Sequence, residues 1–267
     1  MAIISKIQIQ VKNKQRYNVF LDTGKGEEYA LSVDEDLIIK HGLRKGMDLD
    51  EDALIELIDE DEKKKAYYLA INYLSYRMRS IEEIRTYLQK KEKEEHHIEE
   101  VILKLIKDHL LNDLEFANSY IRSKQATLMK GPIKLKQELL QKGVEETIIE
   151  QALEQYLIED QVDIIVKWLE KQKKRSVKTS NRAFLEKLSN QLQLKGFARE
   201  TIVEALKEVD LSNEEDEEWK AICFQGEKVK RKYQEKYKGW EYKQRIKQFL
   251  YRKGFSVELI ERYIDDE

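Results

Sequence analysis

Four histidines and one cysteine are the side chains of this 267-residue chain best suited to act alone as base, nucleophile or metal ligand. His96 and His97 are adjacent, His109 lies twelve residues past His97, and His41 stands apart. A zinc site carried on one helix needs ligands four residues apart, so this spacing fits polar surface or turn residues better than a metal cluster. Cys223 has no second thiol for a disulfide or a thiolate metal site, and it reads as a helix-face residue. Thr23-Gly24-Lys25-Gly26 has too few glycines to cradle a phosphate and reads as a hairpin turn. Asp59 and Asp61 sit in a run of exposed charge that nothing desolvates, which leaves them ordinary carboxylates. No catalytic centre, metal or cofactor is expected.

The chemistry that the sequence does favour is recognition by charge. Net charge is only −3, but the charges are segregated. Residues 22–62 hold 15 Asp/Glu against 4 Lys/Arg, residues 167–182 hold 7 Lys/Arg against one Glu, and residues 227–253 hold 11 Lys/Arg against 3 Asp/Glu. The two basic runs, with Lys171, Lys173, Lys174, Arg175 and Lys178 in one and Lys228, Lys230, Arg231, Lys232, Lys243 and Arg245 in the other, suit contact with a polyanion. Tyr233, Tyr237, Trp240, Tyr242, Phe249 and Tyr251 interleave with the last run, but spacings of three, four and seven make them core residues of two helices before stacking platforms. Arg77 and Arg79 flank a turn at a helix start, where guanidiniums beside free N–H groups could hold a phosphate or carboxylate.

These residues must be held by mostly helical elements. Charged residues at 38%, ten glycines and one proline describe amphipathic helices with wet outer faces, and no apolar run approaches the length of a membrane span. The first sixty residues differ. Ile3, Ile7, Ile9 and Val11 alternate with polar residues, then come Tyr17, Val19 and Leu21, and Tyr29 to Leu31, which together predict a short β meander. Ser32 or Asp34 is placed to cap a helix through Leu37 to Ile39, and a second short helix is expected around Ala53 to Ile58.

Downstream the chain repeats. Leu139-x-x-Lys142-Gly143-Val144 aligns with Leu192-x-x-Lys195-Gly196-Phe197 and Leu250-x-x-Lys253-Gly254-Phe255. Six residues past each Gly stands Ile149, Ile202 or Ile260, and nine past stands Ala152, Ala205 or Tyr263. An earlier copy has Leu88 and Lys91, with Glu92 in the Gly position. Spacings of 51, 53 and 58 residues leave room for three helices per copy, with Gly143, Gly196 and Gly254 as C-terminal caps. Ser80-x-x-Glu83 and Asn112-x-x-Glu115 are capping boxes. The expected architecture is mainly α: a small β-rich domain over 1–62, then three-helix repeats over 63–113, 114–160, 161–212 and 213–267, stacked into an elongated curved array.

The segments Leu74-Ser75-Tyr76-Arg77-Met78-Arg79-Ser80, Leu110-Leu111-Asn112-Asp113 with Phe116-Ala117, Lys130-Gly131-Pro132 and Leu139-Leu140-Gln141-Lys142-Gly143-Val144, in this order, resemble the RecX regulatory protein family over roughly residues 63–267. Met78 stands where members often carry Pro, and Glu92 where Gly is usual. The resemblance implies tandem three-helix repeats, no enzymatic activity, and a monomer in the bacterial cytoplasm that binds the RecA recombinase filament on single-stranded DNA and inhibits its ATPase and strand exchange. On that reading Arg77, Arg79, Lys130, Lys134, Lys136 and the two basic runs meet the filament. A scaffold that binds single-stranded DNA without RecA is the alternative, and a steep salt dependence would mark it.

Overall fold

A computed structural model describes residues 2–24, 26–172, 178–211 and 215–266. Contacts divide the chain into two compact units, residues 1–116 with 141–145, and residues 117–140 with 146–267.

The first unit opens on an antiparallel sheet of β1 (Ala2–Ile9), β2 (Arg16–Asp22), β3 (Glu27–Asp34) and β4 (Asp48–Leu49) in the order β3-β2-β1-β4. Two-residue β4 carries too little pattern to be foreseen. The alternation expected along β1 does not hold a single phase. A register shift between Ile4 and Lys6 bulges the strand, so Ile4 is fully buried while Ile3, Ile9 and Val11 are exposed and Ile7 packs only partly on the core. Ile4, Val19, Leu31, Val33 and Leu57 form that core.

Asp34 caps α1 (Glu35–Lys40), its carboxylate accepting from the Asp36 N–H, and Asp50 likewise caps α2 (Glu51–Leu74). The short helix expected around residues 53 to 58 is the start of this 24-residue helix, which runs unbroken through the acidic Asp59 to Glu62 stretch. What makes that stretch tolerable is internal cation. Arg16 on β2 grips buried Asp61 with both guanidinium arms, at 2.7 and 3.2 Å, while the Asp34 N–H donates to the same carboxylate. Lys65 and Lys93 reach Glu62, and Lys64 reaches Asp34 and Asp36. Arg16 and Asp61 therefore pin the sheet to α2, and loss of Arg16 would leave buried Asp61 with Lys65 as its remaining ion-pair partner among the described residues.

The repeats follow as α3 (Ile81–Gln89) and α4 (Glu95–Lys107) after α2; α5 (Asp113–Leu128), α6 (Pro132–Gln141) and α7 (Glu146–Leu153); α8 (Ile158–Gln172), α9 (Asn181–Leu194) and α10 (Arg199–Glu208); and α11 (Glu215–Tyr233), α12 (Gly239–Arg252) and α13 (Val257–Asp265). Ser80 caps α3 with a complete capping box through Glu83. At α5 the Asn112 side chain accepts from the Leu114 and Glu115 N–H groups. The residues foreseen as anchors, Ile149, Ala152, Ile202, Ala205, Ile260 and Tyr263, are buried.

Each Lys-Gly turn does more than end a helix. The Ser80 hydroxyl donates to the Lys142 carbonyl at 2.6 Å, the Gly131 N–H to the Lys195 carbonyl at 2.8 Å, and the Ser180 hydroxyl to the Lys253 carbonyl at 2.5 Å. The start of a repeat's middle helix is thus seated on the Lys-Gly turn of the repeat that follows. This explains why residues 141–145 belong to the first unit while their flanking helices extend into the second.

The glycines are needed for that seat. Gly143, Gly196 and Gly254 have φ of 74°, 90° and 88°, and a Cβ on Gly196 would lie 2.4 Å from both the backbone N and the Cβ of Lys134. Glu92 supplies the contrast. Its φ is 56° and the Lys93 N–H bonds the Leu88 carbonyl, the pattern of Phe197 on Leu192 and Phe255 on Leu250. An ordinary residue can bear the left-handed conformation here because Glu92 is exposed. We expect Gly196→Ala to cost about 3 kcal/mol, from strain plus collision with backbone, while Gly46→Ala, also at positive φ but with nothing within 4 Å, costs about 1 kcal/mol. Urea unfolding of the full chain checks the difference; equal losses would remove close approach as the reason for the glycine.

Candidate functional site

The candidate residues fall into two electrostatic classes. Arg77, in the turn between α2 and α3, holds the chain's own carboxylate: its guanidinium donates to Glu83 at 2.9 and 3.1 Å, and Lys142 donates to the same group at 2.9 Å. Burial works to raise the Glu83 pKa, but hydrogen bonds from Arg77 and Lys142 outweigh it and hold the carboxyl at about 2. Two N–H groups of the first turn of α3 are occupied too, Ile81 by the Asp113 carboxylate and Glu83 by the Ser80 hydroxyl. Arg79 lies over the Tyr73 ring at 3.9 Å, and Tyr73 stacks on Tyr87 at 4.0 Å.

In the second repeat Lys130 pairs with Glu138 at 2.5 Å, and Tyr120 donates to the other oxygen of the same carboxylate. Lys136 sits between Glu146 and Glu150, at 2.6 and 2.9 Å, whose hydrogen bonds raise its pKa. Lys134 lies with its backbone and Cβ against Gly196 and has no ion-pair partner among the described residues.

Cations free of acidic partners among the described residues gather further on. Lys171 lines an open groove with Arg122 and Lys167, beside Trp168 and Tyr156, and Asp160 and Asp163 line the same groove without a close ion pair to these cations among the described residues. Arg122 was not singled out in the sequence, since it comes from α5 and only the fold brings it beside Lys171, while Trp168 stands three residues before Lys171 on the same helix. Lys173, Lys174 and Arg175 lie outside the described residues. Lys178 stands over the Phe224 ring at 5.4 Å. On α11, Lys228, Arg231 and Lys232 are exposed, as is Lys243 on α12, whereas Lys230 pairs with Glu227 and covers the Tyr263 ring, and Arg245 pairs with Glu241. The aromatics divide as well. Tyr233, Tyr242 and Phe249 pack on the core of the last repeat, while Trp240 is 77% and Tyr251 59% exposed.

Among the histidines, His97 departs from the expectation of polar surface or turn residues. His97 is buried, and both it and His96 place Nε2 on Asp59 Oδ1, at 2.8 and 3.1 Å. Sequence spacing missed this because Asp59 comes from α2. His109 is the left-handed residue closing α4, with φ 56°. No helix among the described residues is long and apolar enough to cross a membrane.

A small antiparallel sheet followed by three-helix units that share one kind of turn-to-helix latch defines a helical-repeat protein. Four family models match the chain: the regulatory protein RecX N-terminal domain at residues 2–50, and the first, second and third RecX three-helix domains at 66–105, 112–153 and 215–264. The regulatory protein RecX of Halalkalibacterium halodurans is 51% identical over 266 residues, all of both chains, and that of Bacillus cytotoxicus 42% identical over 264 residues, 99% of this chain and 97% of the relative. A crystal structure of regulatory protein RecX aligns at TM-score 0.66 and 35% identity, over 78% of this chain and 100% of the other. RecX from Lactobacillus salivarius aligns at 0.55 and 37%, over 57% and 99%. The chain belongs to the RecX family of regulatory proteins. Helices α8 to α10 lie between the second and third matched domains.

The Glu83 cluster yields a pH test. A carboxyl lowered from 4.5 to about 2 on folding contributes stability that is fully present above pH 4.5 and is lost as pH falls toward 2. Glu83→Gln should therefore be less stable than the parent at pH 7, with the gap closing between pH 4.5 and 2. Urea midpoints across that range check it, and a gap independent of pH would show that the charge is not what Arg77 and Lys142 stabilise.

Proposed function

We propose that this RecX-family chain regulates the RecA recombinase by binding its filament on single-stranded DNA and inhibiting ATP hydrolysis and strand exchange. It acts in the cytoplasm as a monomer, with no cofactor and no enzymatic activity of its own, through four three-helix repeats with boundaries near residues 113, 160 and 212. The observation that carries this reading is the division of the basic residues. Arg77, Lys130 and Lys136 are held by the chain's own carboxylates, whereas Lys228, Arg231, Lys232 and Lys243 have no ion-pair partner among the described residues. Unpaired cations at this density cost self-repulsion unless a polyanion meets them, and a nucleoprotein filament offers both DNA phosphates and protein acids. Lys171, Lys178 and the neighbouring Lys173, Lys174 and Arg175 extend the same charge along the sequence.

Exposed Trp240 beside these cations favours a second reading, a scaffold that stacks single-stranded bases and competes for the strand without touching RecA. One titration separates the two. RecA ATP hydrolysis on single-stranded DNA is followed against added protein, with DNA affinity measured in parallel at two salt concentrations. The filament reading expects suppression well below the concentrations that coat DNA. The combined variant Lys228→Glu, Arg231→Glu and Lys232→Glu should then need about tenfold more protein or greater for the same suppression, while Lys130→Gln with Lys136→Gln, already neutralised internally, should change it little. Suppression only at coating concentrations, with a salt slope that falls by about 3 in the triple variant, would establish the scaffold instead. Unchanged ATP hydrolysis at saturating protein would overturn the regulatory mechanism.

A further inference from the structure

Successive residues on a helix point about 100° apart and do not ordinarily face one another. His96 and His97, in the first turn of α4, nevertheless converge: their ring centroids are 3.9 Å apart and both Nε2 atoms lie on one oxygen of Asp59. The three ligand-capable atoms are all within 4.8 Å of one another. The surrounding charge is otherwise accounted for. In the acidic run of α2, Glu60 is paired with Lys40 and His41, Asp61 with Arg16 and Lys65, and Glu62 with Lys65 and Lys93. Among the described residues Asp59 is met only by imidazoles.

The geometry points to a divalent-cation site formed by Asp59, His96 and His97, of the donor type that takes zinc. Two imidazoles and one carboxylate are a borderline-soft set suited to zinc and the later first-row metals, and unsuited to calcium or magnesium, which prefer oxygen. Ligands at 2.0 to 2.2 Å in a tetrahedron lie about 3.3 to 3.6 Å apart. The two nitrogen–oxygen separations of 2.8 and 3.1 Å reach that with small rotations of the side chains. The site also has an inner and an outer side. His97 is 5% exposed at its side chain, while His96 and Asp59 are 51% and 49% exposed, which leaves room for water to complete the coordination. His97 Nδ1 is buried with no hydrogen-bond partner, so the acceptor that normally orients a metal-bound histidine is missing. The site therefore binds more weakly than a structural zinc centre, and the chain folds without the ion. When occupied, the ion clamps the middle of α2 to the first turn of α4 and stiffens the repeat that adjoins the sheet.

The test uses the untagged full chain, freed of metal by chelation and dialysis. Cobalt(II) titration should produce visible ligand-field bands that saturate at one equivalent and are displaced by zinc, and zinc should raise the melting temperature by several degrees. Asp59→Asn and His96→Ala, both at half-exposed positions, should retain the helical circular dichroism of the parent, weaken cobalt binding at least tenfold and abolish the thermal shift. His109→Asn, at the other end of α4, should change neither. Absence of ligand-field bands in the parent, or bands and thermal shift retained in both site variants, would overturn the proposal and leave the three side chains as a hydrogen-bonded tie.

Discussion

The rest of the structure depends on one recurring hydrogen bond, from the group that opens a repeat's middle helix to the carbonyl just before the glycine of the next repeat. It satisfies a backbone acceptor that would otherwise be stranded at a helix end, and it brings the incoming helix so close that a Cβ on the glycine would strike the Glu82 side chain at Gly143, the Lys134 backbone at Gly196 and the Ser180 hydroxyl at Gly254. The donor varies while the contact does not. Serine hydroxyls serve at Ser80 and Ser180, and the backbone N–H of Gly131 serves in the second repeat, where Pro132 begins the helix without an N–H of its own. Gly131 is itself constrained by the latch, since a Cβ there would lie 2.3 Å from the Gly196 carbonyl oxygen.

Much of this was legible because it is local. The Leu-x-x-Lys-Gly register and the isoleucine six residues on are set by the cap and the helix that follows it, so they recur in the sequence at fixed offsets, and the buried anchors fell where the spacing put them. What the glycine is for was not legible. Its partner is Lys134 for Gly196 and Glu82 for Gly143, residues about sixty positions away whose types carry no mark of the contact. The same limit applies at Asp59, whose histidine partners come from another helix, and at Arg122 beside Lys171. Along β1 the difference is of another kind: a bulge of one residue shifts the period-two pattern between Ile4 and Lys6, so Ile4 and Ile7 both face the core and no single alternation describes the strand.

Charge follows a comparable logic. The acidic N-terminal stretch suggests a repulsive patch, yet Arg16, Lys64, Lys65 and Lys93 are folded into it, and Asp61, the best buried of its carboxylates, is also the most completely hydrogen-bonded. The basic C-terminal stretch is treated in the opposite way. Tyr233, Tyr242 and Phe249 are drawn into the core, and most of its cations are left without an acidic partner among the described residues. An excess of one sign that a fold neutralises serves structure. An excess that a fold leaves bare carries a standing cost, and a partner of opposite sign is what offsets it.

The latch also accounts for how a fourth three-helix unit fits within a family whose matched models name three. Each unit needs only to present a Lys-Gly turn on one side and a helix-opening donor on the other. Helices α8 to α10 do both: Lys195 and Gly196 receive Gly131, and Ser180 is delivered to Lys253. A unit that keeps these two ends can lie between its neighbours without altering the contacts either of them makes, because the latch involves nothing beyond adjacent repeats. The first unit shows the same rule by contrast. At its turn Glu92 is exposed, and there the requirement for glycine disappears while the left-handed backbone remains.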